Sequence, residues 1–163
     1  MAIRNCKPEG GAGPGTVRDM DLGEVATFVN TVKLGVVATV GLGGEPQAAL
    51  VGIAATDRGE LVFDTSDSAR KFRNVQRTGR VAVVVGGWDE ELTYQIEGVA
   101  DVPAGDELTR CQEAYFVQYS EGRQRAASGS IGYVRVIPTW VRRADFRSEI
   151  VETTEATFDQ HPM

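Results

Sequence analysis

The sequence predicts a mainly β domain, a small six-stranded antiparallel barrel with helical additions. Three observations lead there. Apolar, β-branched runs recur between residues 34 and 146 in hairpin order, separated by Gly-rich or acidic turns. Segments with helical spacing interrupt these runs without setting up a repeated strand–helix–strand alternation. That alternation occurs once, around residues 68–78, and carries no Gly-x-Gly-x-x-Gly, so a doubly wound sheet is the weaker reading.

The chain has 163 residues, enough for one hydrophobic core, and no shift in composition marks a second domain. A Gly- and Pro-rich arm at 1–16 buries little, the folded domain runs over 17–147, and an acidic tail at 148–163 is expected to fray. Within the domain, Asp21 caps a helix whose apolar residues Leu22, Val25, Phe28, Val29 and Val32 share one face, with Glu24 completing a capping box. From Leu34 the period changes to that of strands. "LGVVATV" and "PQAALVGIAAT" flank the turn Gly-Leu-Gly-Gly-Glu, and "GELVFDT" adds a third strand.

A helix follows at 68–78, with Ala69, Phe72 and Val75 on one face and Arg70, Lys71, Arg73 and Arg77 around the rest. "GRVAVVVGGW" and "LTYQIEGVADV" form the next hairpin. Leu108, Cys111, Tyr115 and Tyr119 mark a helix over 104–119, residues 120–130 read as a loop, and "IGYVRVIPTWVRRADF" is the last strand, in which Pro138 signals an edge or a bulge.

Several function classes are disfavoured. A net charge of −6 opposes general attraction to nucleic acid or anionic membranes. Cys6 and Cys111 stand alone, the one histidine is His161 in the tail, and no Gly-x-Ser-x-Gly is present, so neither a zinc site nor a Ser/His/Asp hydrolase is indicated. No apolar stretch approaches a membrane span or a signal peptide, and the expected setting is soluble and cytoplasmic. Trp88 and Trp140 end apolar strands and read as packing or interface residues before ring-stacking ones. Tyr94 reads as packing.

The helix at 68–78 poses the functional question. Its first turn carries Arg70 and Lys71 where the dipole favours acids by roughly 0.3–1 kcal/mol per charge. The preceding strand ends in Asp64, Thr65 and Ser66, with Ser68 available as a cap. Hydroxyls, helix amides and two cations together suit a phosphate. The competing reading is a solvated basic face paired with Asp64, Asp67 or nearby Glu residues, Asp64 bridging to Arg70 or Arg73.

The segment "FDTSDSARKFRNVQRTGRVAVVV", followed by "YQIEGVADV", resembles the flavin-binding split-barrel family that includes the pyridoxamine 5′-phosphate oxidases, over roughly residues 20–146. The resemblance implies an FMN-binding split barrel, a homodimer with the flavin in a cleft between subunits, and a two-electron oxidoreductase acting on a small molecule. It implies that Arg70 and Lys71 hold the FMN phosphate with Thr65 and Ser66. Ala49, Leu50, Val51 and Gly52 would lie along the flavin, and Thr93 or Gln95 would add a polar contact. Where those oxidases place an Arg and a Lys on the second strand, this chain has Ala49 and Ala54; their last-strand aromatic aligns with Ala144, and their C-terminal Arg-x-His is missing. Oxidation of B6 phosphates is therefore not implied. A related branch uses the deazaflavin F420, whose phosphate also needs a Lys/Arg cluster. No side chain stands out as an acid or base, which fits flavin chemistry and equally a non-enzymatic binder of flavin, haem or a B6 vitamer. Substrate selection would fall to the loops at 86–91 and 120–130.

Overall fold

The computed structural model describes residues 20–159. The 1–16 arm, Cys6 and His161 lie outside the described residues. The elements run α1 (Leu22–Val32), β1 (Leu34–Val40), β2 (Pro46–Ala55), β3 (Leu61–Ser66), α2 (Arg70–Thr78), β4 (Arg80–Gly87), β5 (Leu92–Asp101), α3 (Gly105–Gln118), α4 (Gly122–Ala126), β6 (Ile131–Asp145) and β7 (Glu152–Thr157). The strands are ordered β3-β2-β1-β4-β5-β6, and pairing of β6 with β3 closes them into a six-stranded antiparallel barrel. The expected barrel and its order of hairpins are as predicted.

Strand alternation decides what fills the barrel. Val37 of β1, Ile53 of β2, Phe63 of β3, Val83 of β4, Ile96 of β5 and Val134 of β6 point inward and are buried. Two helices join the same core, α1 through Val25 and Val29 and α2 through Phe72 and Val75. Asp21 caps α1 as expected, accepting from the Gly23 N–H at 2.9 Å, and the Asn30 amide then accepts from and donates to the backbone of Ala55 at the end of β2. Gly132 of β6 lies under α2: a Cβ there would sit 2.3 Å from the Phe72 ring, so only glycine lets that ring seat.

α3 covers one outer flank. Cys111, Tyr115 and Phe116 pack on Ala54, Val62 and Tyr133 of the strands β2, β3 and β6. Glu60, nearly buried, receives Arg110 of α3 at 2.6 Å and Arg135 of β6 at 3.4 Å, which ties the helix to the barrel. Among the described residues the opposite flank, formed by β2, β1, β4 and β5, has no such cover. No helix among the described residues is long and apolar enough to cross a membrane.

Two expectations need correction. The 120–130 loop contains the short helix α4. The acidic tail does not simply fray: Glu152–Thr157 forms β7, paired with Trp140–Asp145 of β6. β6 is long enough to serve two partners along one edge, β3 up to Val136 and β7 from Trp140. Pro138 falls between them, where its missing N–H costs no ladder bond, and the β5–β6 register shifts at Glu97/Gly98 directly opposite.

Asp145 closes β6 under two guanidinium groups. Its carboxylate accepts from Arg143 at 2.5 Å and from Arg147 Nε at 2.8 Å, and from the Arg147 backbone N–H at 3.1 Å. The hydrogen bonds from Arg147, then those from Arg143, hold the Asp145 carboxyl well below the usual range. A depressed folded pKa means the contribution is complete above the unfolded value, about 3.9, and drains away as pH falls through the folded value. Asp145→Asn should thus melt earlier than the parent at pH 7, with the gap narrowing steadily below about pH 4; melting curves from pH 7 to 2 read this directly, and a gap independent of pH would refute it.

Candidate functional site

The site grows out of the turn between β3 and α2. On β3, Leu61, Phe63 and Thr65 face the barrel interior, so Thr65 reaches α2 from inside, and its Oγ1 accepts from Lys71 Nζ at 3.2 Å. The Ser66 and Ser68 hydroxyls lie 2.8 Å apart, and Ser66 Oγ also accepts from the Ser68 N–H at 3.3 Å. Ser68 is not the cap the sequence suggested. Ala69 holds that position in extended backbone, no side chain caps the helix, and its first turn contains no acid. The first-turn amides and the positive end of α2 are left facing the Ser hydroxyls and two cations.

Among the described residues neither Arg70 nor Lys71 makes an ion pair, while Arg110, Arg123, Arg125, Arg135 and Arg147 each sit on a carboxylate. The competing reading pairs the α2 cations with Asp64, Asp67 or nearby Glu residues, with Asp64 bridging to Arg70 or Arg73. Asp64 faces away instead: its Oδ1 accepts from the Tyr115 hydroxyl at 2.8 Å and its Oδ2 from Arg125 at 3.0 Å. Alternation along β3 puts Asp64 on the opposite face from Thr65, so a contribution of Asp64 to the α2 site is confined to its backbone. Burial first, then the adjacent Asp64, push the Tyr115 hydroxyl's pKa up, so it remains a donor to that carboxylate.

A pocket of about 360 Å³ opens between α2 and the strands β1 and β2, lined by Arg70 and Lys71 on one side and Ala49, Gln47 and Thr39 on the other. The methyl side chain of Ala49 leaves this space open. Asn74 forms its brace: 4% exposed, it donates to Thr39 Oγ1 at 3.0 Å and to Gln47 Oε1 at 3.1 Å, fixing α2 against both strands. Sequence reading missed Asn74, although a polar residue on the buried face of an amphipathic helix was the available signal.

The remaining expected residues are spread by strand alternation. Val51 packs against the barrel core, and Gly52 lies under the Tyr119 ring, where a Cβ would come within 2.9 Å of Cζ. Leu50 points outward and is 68% exposed. It heads a cross-strand row, Leu50–Val36–Val84–Gln95, on the bare flank of the barrel. Thr93 is half-buried on β5 opposite Ala144. Within one chain, then, Ala49, Thr65, Ser66, Ser68, Arg70 and Lys71 gather around α2, whereas Leu50 and Gln95 occupy the outer face about three strand spacings, roughly 14 Å, apart.

Of the other candidates, Tyr94 is buried against Phe28, as expected for packing. Trp88 packs in no core: it is 87% exposed, and the Phe146 ring lies 6.1 Å from it. Trp140 is half-buried on β6. Burial pushes the Cys111 thiol up to about 11, which leaves it unreactive at neutral pH.

The family model described as pyridoxamine 5′-phosphate oxidase matches residues 22–144. The chain belongs to this family. Among solved structures, a heme-binding protein from Mycobacterium smegmatis superposes with a TM-score of 0.71 at 22% identity, covering 85% of this chain and 59% of the other. The chain thus spans 59% of the length of that protein. A conserved hypothetical protein from Mycobacterium tuberculosis gives 0.67 at 25% identity, over 83% of this chain and 91% of that one. A pyridoxamine 5′-phosphate oxidase-related, FMN-binding protein from Nostoc punctiforme gives 0.60 at 14% identity, over 85% and 96%. No curated protein matches the sequence. The structural likenesses agree with the family on the split-barrel fold.

Proposed function

We propose that this chain is an FMN-binding oxidoreductase that works as a homodimer on a small molecule. The observation that carries the proposal is the start of α2: an uncapped, acid-free helix N-terminus with Thr65, Ser66 and Ser68 beside it and Arg70 and Lys71 unpaired among the described residues. That donor set fits a phosphate monoester, with the helix amides and hydroxyls donating and the cations balancing its charge. The open space over Ala49 lets the ligand continue along β2.

The bare flank supports the dimer. Leu50, Val36 and Val84 are 68%, 39% and 40% exposed in one contiguous row, with Ala38, Ala48 and Ala82 in the next. An apolar sheet face of this kind is an association surface on a chain otherwise rich in charge. A second copy on it brings its own residues toward Gln95 and Leu50, whose side chains point to that face.

Flavin, when bound, supplies the two-electron acceptor, so the protein's part is to hold the phosphate, orient the ring and exclude water. The deazaflavin F420 is the alternative ligand for the same clamp. A non-enzymatic binder of flavin, haem or a B6 vitamer on this barrel is the second reading, and the heme-binding and heme-storage proteins among the structural likenesses support it.

One titration separates these readings. The purified chain is titrated with FMN, F420 and haem, following fluorescence and absorption, and the loaded form is then mixed with NADH or NADPH. Saturation by FMN at one per subunit with reduction of the flavin supports the oxidoreductase. Saturation by haem alone, or a flavin that neither nicotinamide reduces nor dioxygen reoxidises after chemical reduction, supports the binding protein.

A further inference from the structure

Arg70, Arg73 and Arg77 recur at three- and four-residue spacing, so they form one stripe along α2, about 10 Å long at 1.5 Å per residue. All three line a groove of about 980 Å³ between α2 and the β1–β2 turn. Arg70 and Gln47 also line the smaller pocket with Lys71, so the two cavities adjoin.

Among the described residues the stripe has no ion-pair partner. Arg77 is committed to structure, donating to the Val40 carbonyl at 2.5 Å and to Asn74 Oδ1 at 3.3 Å. Arg73 is exposed, and among the described residues it makes neither an ion pair nor a side-chain hydrogen bond. The acid lining the groove is Glu45, whose carboxylate turns back to accept from the Gly43 N–H at 3.2 Å and bridges to none of the three arginines. Like charges at this spacing on a helix repel, so the arrangement holds a positive field that a bound anion relieves. In a chain of net charge −6 that field is local to this groove.

We propose that the groove is a second oxyanion subsite centred on Arg73, one step along α2 from the phosphate clamp. The ligand class it selects is one whose tail carries a further phosphoryl or carboxylate group beyond the first phosphate. FMN fills the first subsite only; an extended tail fills both. The inference rests on the phosphate-clamp reading and adds a preference within it.

The test uses the full chain, with inorganic phosphate and pyrophosphate as probes in metal-free buffer, measured by isothermal titration calorimetry in the parent and in Arg73→Gln. The expected result is that pyrophosphate binds at least tenfold more tightly than phosphate, and that Arg73→Gln abolishes this advantage while phosphate and FMN bind as before. Equal affinity for the two probes, or an advantage that survives Arg73→Gln, overturns the second subsite. Parallel FMN and phosphate titrations of Lys71→Gln separate the two levels. If FMN binding depends on Lys71 but pyrophosphate gains nothing from Arg73, the subsite alone is wrong; if neither phosphate nor FMN depends on Lys71, the clamp is wrong and the subsite falls with it.

Discussion

Lys71→Glu should lower FMN affinity by roughly two orders of magnitude or more and leave the fold intact. A charge-assisted hydrogen bond contributes about 1.5–3 kcal/mol, each 1.4 kcal/mol is a factor of ten in Kd, and an acid in place of the cation adds repulsion to the loss. The cost to the free protein is small for two reasons. Lys71 has no ion-pair partner among the described residues, so only its hydrogen bond to Thr65 is lost, about 1 kcal/mol. An acid in the first turn of α2 then regains roughly 0.3–1 kcal/mol from the helix dipole, which the parent sequence forgoes. Flavin fluorescence titration gives the affinity, and circular dichroism melting gives the stability. The clamp predicts opposite responses, weak binding and a near-parental melt. Unchanged affinity would mean that the cations of α2 serve only as a solvated face.

The acid-free first turn that makes Lys71→Glu tolerable to the fold also made α2 legible. Its apolar residues, Phe72 and Val75, are few but correctly spaced, and its cations in the first turn stood against the ordinary electrostatic preference. Local rules read such conflicts well, because a helix terminus and its nearest side chains are set by neighbours in sequence. The hairpins were legible for the same reason: β-branched runs such as "VAVVV" and the Gly-rich turn at 41–44 encode strand and reversal within a few residues.

What escaped was decided by partners far along the chain. Asp64 meets Arg125 across 61 residues, and nothing in the local pattern favours that arginine over Arg70 or Arg73. The strand's alternation was visible, however, and it already separates Asp64 from Thr65. β7 was missed because "ETTEAT" shows no apolar alternation. Its pairing depends on β6 having a free edge beyond Val136, and its signal was limited to the strand preference of its threonines. Asn74 was hidden because its buried amide is satisfied by Thr39 and Gln47, two residues on different strands. The cap moved by one residue, from Ser68 to Ala69, because Ser66 accepts from the Ser68 amide and draws that residue into the turn.

The bare flank makes the other strong prediction. On the proposed FMN-binding homodimer, Val36→Glu should give a monomer and weaken FMN binding at least tenfold, with the barrel still folded. Val36 sits between Leu50 and Val84 in the outer row, and its 39% exposure in the free subunit means that the new carboxylate is solvated there and costs the monomer little. In a two-fold interface the same substitution enters twice, and each buried, unpaired carboxylate costs several kcal/mol. A Kd for association raised by about three decades or more follows. On that proposal flavin affinity falls with it, because the α2 clamp would remain while a part of the cleft supplied by the second copy would be lost. Ile150→Glu is the matched control, since Ile150 is 79% exposed outside the flank and the added charge is identical. Analytical ultracentrifugation and FMN titration of the three proteins decide the matter. If Val36→Glu remains dimeric with parental affinity, the β2-β1-β4-β5 face is not the interface; if it becomes monomeric yet binds FMN as before, the whole site lies within one subunit around Arg70 and Lys71.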